Sequence, residues 1–326
     1  MREIGGYFEL ELPIKDCIMH SRCVAVNSGR HALEYILRGL NGQIKEILIP
    51  DYTCDSILQP IETLNMPYRF YNINEQLEIC DGFSSEIEKE GTYLVVNNYF
   101  GIKDAYVKLL SEKYGRKLIV DNSQAWYALE IRNTKCFYSP RKFFGLPDGG
   151  MAYTDEMPQI VLNSGISWNR ATHLLKRIDT GANSGYGDFH NDEATISDEP
   201  LTLMSPLTYR LLSSIDMGSV KRKRRRNYSI LAEALGTSNM LNLPDIDTFE
   251  CPMIYPFMTD IHGLREYLIE NKIYVAQYWP NVLNWSDKDS VAFKYTQNII
   301  SLPIDHRYDE NDMNYIIEII TKKQRK

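Results

Sequence analysis

Cys136-Phe137-Tyr138-Ser139-Pro140-Arg141-Lys142-Phe143-Phe144-Gly145-Leu146-Pro147-Asp148-Gly149-Gly150 sets one lysine between an apolar run that reads as a β-strand and a Gly-Gly pair that lets backbone pass close to a flat body. A lysine so placed is either a surface charge or a Schiff-base amine, made nucleophilic by burial and neighbouring cations. The preceding stretch gives it weight. Leu118-Ile119-Val120-Asp121-Asn122-Ser123-Gln124-Ala125 is a second apolar strand, and it ends on a carboxylate.

Upstream, Val24-Ala25-Val26 reads as a short strand, Asn27-Ser28-Gly29-Arg30 as a turn, and Ala32, Leu33, Ile36, Leu37 and Leu40 fall at helical spacing. A strand, a glycine turn and a helix start form either an ordinary connection or an anion site, because the first N–H groups of the helix are unpaired and its dipole favours negative charge. Ser28 and Arg30 add side-chain donors. The rhythm repeats with Glu46-Ile47-Leu48-Ile49-Pro50, a polar turn over residues 51–56 and a helix from Ile57; Tyr68-Arg69-Phe70-Tyr71 and Tyr93-Leu94-Val95-Val96 are further strands. This alternation predicts an α/β fold, a mostly parallel sheet covered by helices on both faces. Functional groups then belong at the carboxyl ends of the strands, where Asn98, Tyr99, Asp121, Gln124, Ser139 and Lys142 fall. A strand-end Asp followed closely by a Lys is what a pyridoxal phosphate site needs, one to keep the pyridinium nitrogen protonated and one to bind the aldehyde.

Beyond Gly150, residues 183–198 are rich in Gly, Asn and Asp and read as a long loop or lid. Residues 204–235 read as helix, with Leu207, Leu211, Leu212, Ile215, Val220, Tyr228 and Leu231 on its apolar face. The basic run from Lys221 to Arg226 lacks interleaved aromatics and reads as a solvated or carboxylate-paired face linking two domains, in preference to a nucleic-acid patch. A small α+β unit follows: strands at 253–258, Ile273-Tyr274-Val275 and 299–303, helices at 261–270 and 311–321. The expected division is a large domain over 1–225, with residues 1–20 as an arm lying on a partner subunit, and a small domain over 226–326.

The chain has 326 residues, 44% of them hydrophobic, and a net charge of −7, which offers no overall attraction to nucleic acid or an anionic membrane. Its six cysteines (Cys17, Cys23, Cys54, Cys80, Cys136, Cys251) show no C-x-x-C pair and no zinc spacing, so reduced thiols in a cytoplasmic protein and no metal are expected. Glu3, Glu9 and Glu11 leave no signal-peptide core at the start, and no run approaches the roughly 18 apolar residues of a membrane span. His31 reads as structural, His306 as near a strand end or at the surface.

Taken in order, Asn27-Ser28-Gly29-Arg30-His31-Ala32-Leu33, Ile49-Pro50-Asp51-Tyr52-Thr53, Asn98-Tyr99-Phe100-Gly101, Asp121-Asn122-Ser123-Gln124-Ala125, Lys142 with Asp148-Gly149-Gly150, and Ser301-Leu302-Pro303 resemble the DegT/DnrJ/StrS family of pyridoxal-phosphate sugar aminotransferases, of fold type I. The resemblance covers nearly the whole chain. It implies Lys142 as the Schiff-base lysine and catalytic proton carrier, Asp121 on the pyridinium N–H, Gln124 against the phenolic edge of the cofactor, and Ser28, Gly29, Arg30 and Ser139 around its phosphate. It also implies a homodimer that moves an amino group from an amino acid, glutamate by analogy, to a keto sugar, in surface polysaccharide or related sugar biosynthesis. Departures from the family pattern are Phe137-Tyr138 for its Ser-Phe, Arg30 for the Thr of its phosphate turn, Asp148 for its Glu, and Cys54 for its ring-stacking aromatic. Another reaction of the same cofactor, such as dehydration, and a non-catalytic regulator are the alternatives; the retained Lys142 favours transamination.

Overall fold

The computed structural model describes residues 7–13, 19–80, 82–181 and 183–325. Its first half runs β1 (Val24–Val26), α1 (Gly29–Gly39), β2 (Glu46–Pro50), α2 (Leu58–Thr63), β3 (Tyr68–Tyr71), α3 (Ser84–Glu88), β4 (Thr92–Asn97), α4 (Asp104–Tyr114), β5 (Leu118–Asp121), β6 (Lys135–Tyr138) and β7 (Gly150–Tyr153). After these come α5 (Thr172–Thr180), α6 (Tyr186–Asp198), α7 (Pro206–Ser214), α8 (Met217–Leu235), β8 (Ile254–Met258), α9 (Leu264–Glu270), α10 (Val291–Asn298), β9 (Ile299–Pro303) and α11 (Glu310–Gln324).

The large sheet has the order β1-β7-β6-β5-β4-β2-β3. The pairs from β3 to β6 are parallel, and β7 lies antiparallel to both β6 and β1. The carboxyl ends of β1 to β6 and the amino end of β7 therefore share one edge of the sheet.

Alternation along the strands divides the interior in two. Ile47, Ile49, Tyr93, Val95, Ile119 and Phe137 face a core shared with Leu33, Ile36 and Leu37 of α1. Their neighbours Leu48, Leu94, Val96, Leu118, Val120 and Tyr138 face the other core, which continues through α4 and α8 into the C-terminal elements. Both faces are covered, which is why these strands read as unbroken apolar runs. Each fully buried aliphatic side chain contributes about 1.5–3 kcal/mol.

The C-terminal part pairs β8 with β9, antiparallel. Residue 226, the expected boundary, lies inside α8. The basic run there joins the two parts. Buried Arg224 donates to the carbonyls of Met253 (2.8 Å) and Phe143 (3.3 Å) and lies 4.6 Å over the Phe143 ring. Arg225 donates to the carbonyls of Ile246 and Phe249, and Lys221 pairs with Glu250, so carboxylates and backbone carbonyls share the work.

Three expectations change. Residues 183–198 are mostly the helix α6, which buries only Ile196 and so carries no apolar stripe for periodicity to detect. It is held to α5 by His173–Asp192 (2.6 Å) and Lys176–Asp188 (2.7 Å). The expected helix over 204–235 is two helices, broken before Asp216, whose carboxylate caps α8 by accepting from Ser219 N at 2.9 Å. Residues 273–275 form no strand; one bridge joins Ala276 to Ser301. Of the expected arm, Glu3, Gly5, Gly6 and Cys17 lie outside the described residues, and Tyr7 and Phe8 are exposed.

Candidate functional site

Seven residues singled out in the sequence (Ser28, Gly29, Arg30, Asp121, Gln124, Ser139 and Lys142) line one cavity of about 190 Å³ at the carboxyl edge of the large sheet. Sheet topology brings them together: turns after β1, β5 and β6 converge there.

The turn after β1 is built around the start of α1. Ser28 caps the helix, its Oγ accepting from His31 N at 3.3 Å. Its hydroxyl also meets His31 Nδ1 at 2.7 Å, while His31 Nε2 lies 2.9 Å from the Glu199 carbonyl. A carbonyl only accepts, so Nε2 carries the proton of the neutral ring and Nδ1 accepts from Ser28. Burial lowers the His31 pKa, which keeps the ring neutral. The Ser28 hydroxyl proton is thereby committed to His31, and what this turn offers a ligand is backbone: Gly29 and Arg30 have no intrahelical acceptor for their N–H groups. A Cβ on Gly29 would come within 3.2 Å of Ser139 Cβ and 3.5 Å of both Ser123 Oγ and Ser139 Oγ. Glycine here leaves a small hollow rimmed by two hydroxyls and a helix start, suited to a phosphate. The Arg30 side chain reaches Gln59 Oε1 at 2.5 Å.

Asp121 ends β5 in register with Asn97 and Phe137. Its Oδ1 accepts from Ser123 N at 2.7 Å. Burial raises its carboxyl above the ordinary Asp range; the nearby Lys142 ammonium and the Ser123 bonds oppose this. The residue calls for a cation. Gln124 accepts from Phe100 N at 2.9 Å through Oε1, yet its amide Nε2 is buried with no partner. Asn97 donates to Thr53 Oγ1 at 2.9 Å and leaves Oδ1 buried without a partner. Buried amides seldom go unsatisfied, so this wall has hydrogen-bonding capacity reserved for a ligand.

Lys142 closes a single helical turn, Pro140–Lys142, after β6. It is exposed, and among the described residues its amine makes no hydrogen bond and no ion pair. Asp148, fully buried, accepts from Ser205 N (3.1 Å), Ser205 Oγ (3.0 Å) and Thr208 Oγ1, holding the start of α7 against the start of β7. A Cβ on Gly150 would meet the Ser28 carbonyl at 2.0 Å, so the Gly-Gly pair admits the turn after β1.

Sequence reading missed Asn97, Ser123, Arg141, Glu193, Ile196 and Trp279, which also line the cavity. Asn97 was open to the same strand-end reasoning that found Asp121. Glu193 and Ile196 stand on α6 and Trp279 far downstream, where no local pattern marks them. Cys54 also lines the cavity and accepts from Ser56 Oγ at 3.1 Å. One group lies elsewhere: His20, Cys23 and Glu130 have ligand atoms within 4.8 Å of one another, a clustering that the expectation of no metal spacing overlooked because Glu130 is remote in sequence.

These residues fit pyridoxal phosphate: a carboxylate awaiting a cation, an unpaired amine, an amide donor without an acceptor, and a glycine hollow at a helix start. No protein-family model matches the chain, and no curated protein matches it in sequence. Solved structures do match in fold. The sugar aminotransferase CalS13 from Micromonospora echinospora aligns over 92% of this chain and 87% of its own, at 16% identity and a TM-score of 0.62. The PMP form of Spr1654 from Streptococcus pneumoniae aligns over 92% and 87%, at 15% identity and a TM-score of 0.64. A DegT DnrJ EryC1 StrS aminotransferase from Brucella abortus aligns over 94% and 86%, at 15% identity and a TM-score of 0.58. The chain thus has the fold of these aminotransferases, the α/β fold expected from its sequence. Among the described residues, no helix is long and apolar enough to cross a membrane.

Proposed function

We propose that this chain is a pyridoxal-phosphate-dependent aminotransferase that takes an amino group from an amino acid and gives it to a keto sugar. The observation that carries the reading is the meeting of Asp121, Gln124 and Lys142 in one cavity beside the Gly29 hollow. When bound, the cofactor supplies an electron sink for a carbanion at the amino-acid Cα. Asp121 holds the ring nitrogen protonated. The Gln124 amide donates to the phenolic oxygen, which gives its orphaned Nε2 an acceptor. Gly29 and Arg30 N–H groups, with the Ser123 and Ser139 hydroxyls, hold the phosphate. Lys142 would hold the cofactor through its amine and would carry the proton at the amino-acid Cα.

Glutamate as donor, a nucleotide-linked acceptor and a role in surface polysaccharide synthesis extend this reading by family analogy, as do a cytoplasmic location and a homodimer. The exposed Tyr7 and Phe8 support the dimer, since a partner would cover them. Light scattering at micromolar concentration should give twice the chain mass; a monomer with cofactor bound would argue against it. The central test is chemical. The purified protein should be yellow, and borohydride should fix the cofactor to Lys142; a label mapped to another lysine would refute the assignment.

A further inference from the structure

Arg141, one residue before Lys142, lines the cavity and is largely buried, its side chain 12% exposed. Its Nη2 pairs with Glu193 of α6, and its Nε donates to the Leu146 carbonyl at 3.4 Å. Among the described residues Nη1 has no partner, so the fork is half used. Glu193 therefore puts a carboxylate, through one contact, on Arg141 in the cavity that Lys142 also lines. We propose that Arg141 recognises the carboxylate of the amino donor and that Glu193 is its resting counter-ion, displaced when the donor enters. This rests on the aminotransferase reading above.

The hairpin that bears Glu193 is built to give way. α5 buries no residue and α6 buries only Ile196, so little apolar area fixes them. At the base of the hairpin Arg170 donates to the carbonyls of Pro147 (3.4 Å) and Ile166 (3.0 Å) and pairs with Glu199, while His31 holds the Glu199 carbonyl. Gln59 adds a bond to the Ser197 carbonyl. Both ends are pinned there. Glu193, about one turn before Ser197, is the latch over the cavity. With the latch closed the cavity, at about 190 Å³, falls below the roughly 300–1,000 Å³ of ordinary ligand sites. A donor carboxylate can take both nitrogens of the Arg141 fork, where Glu193 takes one and is itself 43% exposed, so the exchange favours the ligand.

The test uses the cofactor-loaded full chain and succinate, a dicarboxylate with no amine to transfer. Limited trypsin digestion reads opening by cleavage at Lys176 and Arg177. Succinate should speed this cleavage severalfold over chloride at equal ionic strength. Glu193→Gln should be cut at the faster rate without succinate and show a lowered KM for glutamate. Arg141→Gln should lose the succinate response and raise the KM for glutamate at least tenfold, with cofactor affinity unchanged. Wild-type cleavage indifferent to succinate would overturn the proposal, as would an Arg141→Gln variant that keeps the response but binds cofactor poorly, since that assigns Arg141 to the phosphate. Proteolysis needs no turnover, so a borohydride label missing from Lys142 would fell the reaction while leaving the exchange at Arg141 to be judged by its own result.

Discussion

Replacing Asp121 by Asn separates a site carboxylate from a structural one, because the two roles move stability and affinity in opposite directions. The shape and the bond from Ser123 N to Oδ1 survive in the amide. What disappears is a charge whose burial raises its pKa, so the ionised form is a cost to the folded chain without cofactor. The folded-state pKa lies above the unfolded value, so this cost is full above the folded pKa and vanishes as pH falls through it into the ordinary Asp range. Cofactor-free Asp121→Asn should therefore be at least as stable as wild type at pH 8, with the difference gone near pH 3. Loaded with cofactor, the variant loses a charge-assisted hydrogen bond of about 1.5–3 kcal/mol. That corresponds to a rise in cofactor Kd of about ten- to a hundredfold. Proton removal from Cα should slow by further powers of ten, each ~1.4 kcal/mol, because an amide cannot hold the ring proton. Urea unfolding without cofactor, equilibrium titration with pyridoxal phosphate and stopped-flow mixing with glutamate measure the three quantities. A variant less stable without cofactor, yet wild-type in Kd and half-reaction rate, would make Asp121 a turn cap and refute the reasoning.

Asp51 is pushed up to about 6 by burial, against backbone bonds that include Ile73 N at 3.3 Å. Its charge is then a burden that grows as pH rises from the ordinary Asp range through that value, so Asp51→Asn should raise unfolding stability by up to about 3 kcal/mol at pH 8, by roughly half that at pH 5, and hardly at all at pH 3. Urea titrations at the three pH values check it. Gly29→Ala should weaken cofactor binding about tenfold or more by crowding the hollow beside Ser139, with near-wild-type circular dichroism; unchanged affinity would place the phosphate elsewhere. Arg224→Met strands the carbonyls of Met253 and Phe143 and should cost about 2–4 kcal/mol in chemical unfolding.

The strands were legible because each is a short apolar run bounded by turn residues and buried on both faces, a pattern that depends little on what packs against it. β2 and β9 match their expected spans residue for residue. The strand-end rule then led to Asp121, Gln124 and Lys142 without any knowledge of how the strands are ordered. What escaped was fixed by long-range packing. α6 is held by Arg141, Gln59 and ion pairs to α5, partners that lie 12 to 138 positions away and leave no periodic trace in its own sequence. Arg224 likewise reads as one more charge in a basic run, and only the fold sets it against two carbonyls.

The reversed strand β7 dictates the order in which this protein can come into being. β1 touches the large sheet through β7, so the strand that leads into the turn bearing Ser28, Gly29 and Arg30 has no sheet partner until residues 150–153 have been made. Glu193 and Trp279 close the cavity later still. During synthesis the segment made among the first is thus among the last to be seated, with more than a hundred residues between the partners, a connection that slows folding. A nascent chain halted before residue 150 would hold the five parallel strands and yet leave β1 without the strand it pairs with.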